Sequence, residues 1–233
     1  MARFTGQTML PIVLILLLRM NRIFSIHYKY VGKYSILRIR DFMAQVMVRN
    51  GEKEFAMDVK SFHHVAYRCK DAKETADFYT NIVGLPYTMA VAEDKQPTTG
   101  EDDPYMHIFF QLEDGSFLAF FELPGADPMG RDENTPEWVQ HIAFNVGDIA
   151  TLNKKKAQLE ANGIEYLGPT DHTICQSIYF FDPNGHRLEY LVDTTNDKMT
   201  KDLADAAKPM LEEWTATKRA PRHADWVHKN SNN

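Results

Sequence analysis

Cysteine is scarce: the 233 residues hold two, Cys69 and Cys175, with no CxxC spacing. That excludes a thiolate zinc site and a disulfide framework, reads both as buried thiols, and suits a reducing, cytoplasmic compartment. Positive charge is also in short supply. With 26 Lys+Arg against 32 Asp+Glu the chain carries −6, the wrong balance for a surface that neutralises phosphates, so no nucleic-acid partner is expected. The apolar run Met9–Leu18 ("MLPIVLILLL") spans ten residues, where a membrane-crossing helix needs roughly twenty, so no membrane span is expected. Arg19, Met20, Asn21 and Arg22 follow it in place of the small-residue cleavage site of a secretory signal, while the lack of any acid before Asp41 keeps a transit peptide open.

What is present is an ordinary globular composition, 44% hydrophobic and 25% charged, which leaves a small molecule as the expected partner. The charge is unevenly spread. Residues 1–57 hold nine Lys/Arg and three Asp/Glu, a balance of +6 that leaves −12 for the rest. This break sets a basic N-terminal extension, 1–57, unstructured or opened by an upstream start, apart from a domain over 58–193 and a helical tail over 194–233.

The domain is written twice. A shift of 77 lays "HHVAYRCKD" from His63 on "QHIAFNVGD" from Gln140. Each copy continues with an amphipathic helix closed by a glycine (Gly84, Gly163), a further strand and a hairpin, around Asp114-Gly115 and Pro183-Asn184-Gly185. The expected fold class is α+β: two βαβββ modules, 58–124 and 138–193. In the first helix Ala76, Phe78, Tyr79, Ile82 and Val83 share a face; in the second Ile149, Leu152, Lys156 and Leu159 do, with the lysine stem snorkelling. The linking loop Gly125–Glu137 is polar and long enough to line or cover a site. In the tail, Lys198–Trp214 reads as an amphipathic helix interrupted at Pro209, covering a sheet edge or docking on a second copy in a homodimer.

Strand parity sends Ile142, Phe144 and Val146 to the helix, and His141, Ala143 and Asn145 the other way. His64, Ala66 and Arg68 match the latter. Read by the same alternation, Glu122 and Glu189 in the last strands are expected to point inward, giving each copy one inward histidine and one inward glutamate. A single strand-edge histidine or glutamate is ordinarily structural. Two matched carboxylates inside apolar strands each cost several kcal/mol unless they meet a cation, in the order-of-magnitude sense. Imidazole and carboxylate donors without thiolate suit iron, manganese, nickel or zinc. His107, Phe109 and Phe120 are candidates to line the pocket or to fill the core.

At these residues, over about Phe62 to Val192, the sequence resembles the vicinal oxygen chelate superfamily of glyoxalases, bleomycin resistance proteins and type I extradiol dioxygenases. The resemblance implies paired βαβββ modules curled into a half-open barrel around one divalent metal, with His64, Glu122, His141 and Glu189 at the ligand positions. "TDHTICQSIYFFDPNGHRLE", Thr170 to Glu189, is similar to the extradiol signature. That implies Fe(II) on His64, His141 and Glu189, His172 as acid/base, Tyr179 as hydrogen-bond donor, and ring cleavage of an aromatic vicinal diol. Glu122 points instead to a glyoxalase I-like lyase with four ligands and nickel, zinc or manganese, in which a glutamate leaves the metal to act as base. A metal-free binding protein of the bleomycin-resistance type is the third expectation. No cluster of cationic residues for a phosphonate is visible in the sequence.

Overall fold

The computed structural model describes residues 58–223 and Trp226; the expected N-terminal extension lies outside the described residues. The order of elements repeats. Module one is β1 (His64–Cys69), α1 (Ala72–Phe78), β2 (Tyr87–Lys95), β3 (Asp102–Gln111) and β4 (Phe117–Glu122). Module two is β5 (Ile142–Asn145), α2 (Ile149–Ala161), β6 (Tyr166–Asp171), β7 (Cys175–Phe181) and β8 (Arg187–Asp193), followed by α3 (Asp197–Thr217). Each module makes its own four-stranded sheet, in the orders β1-β4-β3-β2 and β5-β8-β7-β6. The first strand of each runs parallel to the last and the rest are antiparallel. This is the α+β pair of βαβββ units that the duplication predicts.

Local chemistry sets the helix ends. Asp71 accepts from the backbone N–H of Glu74 at 2.7 Å, and Asp148 does the same for Thr151 at 2.7 Å, satisfying donors that the first turn leaves unpaired. After Phe78 the first helix widens into a π turn over Tyr79–Val83 and stops at Gly84, whose φ of 87° is cheap only for glycine. The widened turn keeps both Tyr79 and Val83 buried. In α2 the snorkelling lysine is Lys155, not Lys156: its Nζ donates to the Val83 carbonyl at 2.7 Å and stands 5.5 Å from the Tyr190 ring, and burial lowers its pKa. Ile149 is exposed, because the buried stripe runs through Leu152 and Leu159. α3 passes through Pro209 without a break and buries only Ala206, leaving Leu211 and Trp214 largely in solvent.

One core joins the two modules. Tyr79, Ile108, Phe110, Leu118 and Phe120 from the first meet Phe144, Leu152, Ile178, Leu188 and Tyr190 from the second in a single cluster. Each such side chain contributes about 1.5–3 kcal/mol on burial. The turn between β7 and β8 latches into module one. Buried Tyr79 donates to Asp182 Oδ2 at 3.0 Å, and Asn184 Oδ1 accepts from the Lys70 backbone N–H at 2.8 Å. His186 Nε2 meets the Arg68 carbonyl at 2.7 Å. The helix-bearing faces of both sheets are thus consumed, and the opposite faces, which carry His64 and His141, look away from the shared core.

Candidate metal centre

Pairing register decides which side chains share the open face of each sheet. In module two, Ala143 lies opposite Glu189 and Glu189 opposite Tyr179, so with His141 just ahead of β5 all three groups emerge on one side. His141 Nε2 stands 3.0 Å from Glu189 Oε2, and His141 Nδ1 lies 3.2 Å from the Val139 carbonyl, a contact that orients the ring towards the glutamate. Glu189 is 4% exposed. A carboxylate that deep needs a cation or a donor set, since an unpaired one costs several kcal/mol, in the order-of-magnitude sense.

The other two signature residues join this pair. Tyr179 Oη and His172 Nε2 are 2.9 Å apart, and the rings of Tyr179 and His141 meet edge to face at 6.1 Å. His172 sits on a short loop in which Thr173 adopts φ 71°. The Asp171 carboxylate accepts from the Thr173 backbone N–H at 2.7 Å, while the His172 backbone N–H donates to the Cys175 carbonyl at 2.8 Å. Burial raises the Tyr179 pKa, with the Glu189 charge adding to it against a lowering hydrogen bond from Ser177, so the phenol keeps its proton at neutral pH. Arg187 covers the Tyr179 ring, its Cζ 4.4 Å from the centroid; no motif in the sequence singles this residue out.

Module one offers a different surface. His64 lies opposite Phe117 and Ala66 opposite Ala119, so the position matching Glu189 is occupied by Ala119. Glu122 pairs with Cys69 and Met106, three residues further on and on the helix-bearing face. Its Oε2 accepts from the Ala72 backbone N–H at 2.7 Å, at the start of α1. The expected inward parity of Glu122 is therefore corrected: alternation read along the last strand misses the offset of three that the parallel β1–β4 register imposes. Phe120 fills the core, whereas Phe109 and His107 lie on the open face near His64, at ring separations of 5.7 and 5.9 Å. His107 is stacked on Phe121 at 3.6 Å and its Nε2 has no partner among the described residues. Burial, with the neighbouring His64, pushes its pKa down to about 4, so it is neutral. His63 Nδ1 and His64 Nδ1 lie 2.8 Å apart.

The donor types fit a divalent ion, but their grouping within one chain is incomplete. His141 and Glu189 converge; His64 does not join them, and no group of three His, Cys, Asp or Glu among the described residues stands in reach of a common ion.

The duplicated fold matches one family. Residues 61–190 fit the Glyoxalase/Bleomycin resistance protein/Dioxygenase superfamily, and the chain belongs to it. Among its relatives, biphenyl-2,3-diol 1,2-dioxygenase 3 of Rhodococcus globerulus is 33% identical over 94 residues, 40% of this chain and 48% of that protein. The chain thus spans about half the length of that relative. Lactoylglutathione lyase of Pseudomonas aeruginosa is 21% identical over 153 residues, covering 59% and 85%. A fosfomycin resistance protein from Listeria monocytogenes, solved with Mn(II) and sulfate, superposes with a TM-score of 0.43 at 21% identity, covering 60% and 98%. Among the described residues no helix is long and apolar enough to cross a membrane.

Proposed function

We propose that the protein is a metal-dependent ring-cleaving dioxygenase of aromatic vicinal diols, with iron held by His141 and Glu189 of one copy and His64 of a second. The observation that carries the oxygenase reading is the pairing of His172 with Tyr179 at 2.9 Å beside His141, together with the engagement of Glu122 at the α1 N-terminus. A lyase of the glyoxalase kind needs that fourth carboxylate at the metal; here it faces the core side of its sheet. A binding protein without metal has no use for a buried Glu189 aimed at a histidine.

A divalent ion in this position supplies positive charge that stabilises a diolate, and as Fe(II) it supplies electrons to dioxygen. The protein's own groups do the rest. His172 takes or returns a proton next to the bound diol by way of the Tyr179 hydroxyl, which its Nε2 meets at 2.9 Å, and the aromatic face of Phe109, Phe117 and Phe121 gives a flat apolar wall. The second copy follows from the outward-looking faces: a two-fold contact lays the His64 face of one module on the His141–Glu189 face of its mate. Exposed Leu211 and Trp214 of α3 supply apolar area for the same association. Two unpaired cysteines support a reducing, cytoplasmic setting.

The test is oxygen uptake with catechols by anaerobically purified protein, together with mixing of two inactive variants. His64→Ala and His141→Ala each abolish turnover, and co-refolded mixtures recover part of it, because half of the sites in a mixed dimer keep all three ligands. No recovery places all ligands in one chain. Nickel or zinc with no oxygen uptake favours the lyase, and metal-free protein favours the binding module.

A further inference from the structure

A cleft of about 870 Å³ opens beside His141, between the end of β1, the β7–β8 turn and the segment 129–141. Three cations line it, Lys70, Arg131 and Arg187, against two carboxylates, Asp132 and Glu137. Most of this charge is already spent. Arg131 is bound to Glu137 at 2.8 Å, and Asp132 accepts from the Asn134 backbone N–H at 3.0 Å and from Thr135. Among the described residues Lys70 Nζ reaches only the Pro183 carbonyl, at 3.0 Å. Arg187 makes no ion pair with a described residue: its guanidinium lies on the Tyr179 ring, and its buried Nε has no hydrogen-bond partner among them. Lys70 and Arg187 thus put two positive charges in the cleft wall against the one carboxylate left, Asp132, an excess that suits an anion. Val139 and Phe181, each about two-fifths exposed, and Tyr67 supply apolar wall.

We propose that this cleft binds a carboxylate carried by the substrate, held by the Arg187 fork and the Lys70 ammonium while the rest of the molecule lies against Tyr67, Val139 and Phe181. One positive charge remains after Asp132 is set against Lys70 and Arg187, which matches a monoanion such as a carboxylate. Arginine suits the task because its planar pair of donors meets both carboxylate oxygens. Since His141 belongs to the same wall, the cleft adjoins the proposed metal-bound end. The substrate class is then an aromatic vicinal diol bearing an acid group, an assignment that rests on the ring-cleavage reading, although the anion site does not.

The experiment compares 3,4-dihydroxybenzoate with 4-methylcatechol, which replaces the carboxylate by a methyl group of similar size, using the full iron-loaded chain. The ratio of their kcat/KM values is expected to favour the acid and to fall by about tenfold or more in Arg187→Met and in Lys70→Met, with Arg187→Lys intermediate. Lys70 is exposed, so its variant keeps the test valid should Arg187→Met fold poorly. In parallel, benzoate and benzyl alcohol are titrated into metal-free protein by calorimetry. Benzoate binding that Arg187→Met weakens about tenfold supports the anion site, and it does so even when neither diol is cleaved, in which case ring cleavage alone is refuted. A ratio near one, or a ratio and a benzoate affinity that neither substitution moves, overturns the proposal.

Discussion

Replacing Glu122 separates the two chemistries that the sequence leaves side by side. Its Oε2 takes the Ala72 N–H at 2.7 Å, one of the orphan donors of α1, in a half-buried position behind the sheet. A hydrogen bond to a charged acceptor contributes about 1.5–3 kcal/mol, and the positive end of a helix dipole adds about 0.3–1 kcal/mol at exposed sites. Because the site is half-buried and the helix short, we take about 2 kcal/mol for Glu122→Ala and about 0.5–1 kcal/mol for Glu122→Gln, which keeps an acceptor but loses the charge. For a domain of this size, about 2 kcal/mol moves the melting midpoint by roughly 4–8 °C. The assay is thermal unfolding of chelator-treated protein by circular dichroism, beside metal content and kcat of the reloaded protein. The expected result is a lower Tm in the alanine variant, a smaller drop for glutamine, and metal content matching the parent in both. Loss of bound metal in Glu122→Gln with no change in the metal-free Tm refutes this reasoning and restores Glu122 as a ligand.

Three further outcomes follow from contacts already described. His172→Ala and Tyr179→Phe are expected to retain metal by elemental analysis, while kcat falls about 10²–10⁴-fold in the first and less in the second; unchanged turnover in His172→Ala removes the acid/base role. Tyr79→Phe leaves Asp182 short of a buried donor and is expected to cost about 1–3 kcal/mol in urea unfolding, with much less added cost in an Asp182→Asn background. Burial pushes the Cys69 thiol up to about 11, above the unfolded thiol, so between these values the unfolded chain has lost a proton that the folded chain keeps. Stability therefore falls as pH rises from about 9 towards 11, by an amount on the order of 2 kcal/mol from this residue, and Cys69→Ala is expected to flatten that part of the profile in denaturant titrations.

Much of the fold was legible because the duplication repeats period and punctuation together. Inward and outward residues alternate in β1 and β5, an Asp opens each helix, and glycines follow both. Alternation alone did not carry as far at β4. It gave Glu122 an inward face, yet face membership in a sheet is set by the partner strand, and only the β1–β4 register puts Ala119, not Glu122, beside Ala66. The same limit hid Arg187, whose place beside His141 follows from the β5–β8 pairing, and the cationic cleft, whose members come from three segments with no common motif. Lys155 displaced Lys156 for a simpler reason: both lie near one helical stripe, and the free Val83 carbonyl at the end of the π turn selects the residue that can reach it.

The two modules, alike in fold, have divided their chemistry. Module two keeps Glu189, the His172–Tyr179 pair and Arg187 on one open face; module one keeps a histidine, an alanine where the carboxylate would be, and a run of aromatic rings. A site with three protein ligands needs one module of each kind, and two copies of module two alone would bring two carboxylates and two histidines to a single ion, the arrangement suited to a lyase. On the ring-cleavage proposal, Ala119 opposite Ala66 is the feature that would leave two positions at the ion for a diol and for oxygen. The latch between the β7–β8 turn and α1 acts from behind: by using up the helix-bearing faces within one chain, it leaves the His64 face and the His141 face turned outward, as the proposed shared site requires.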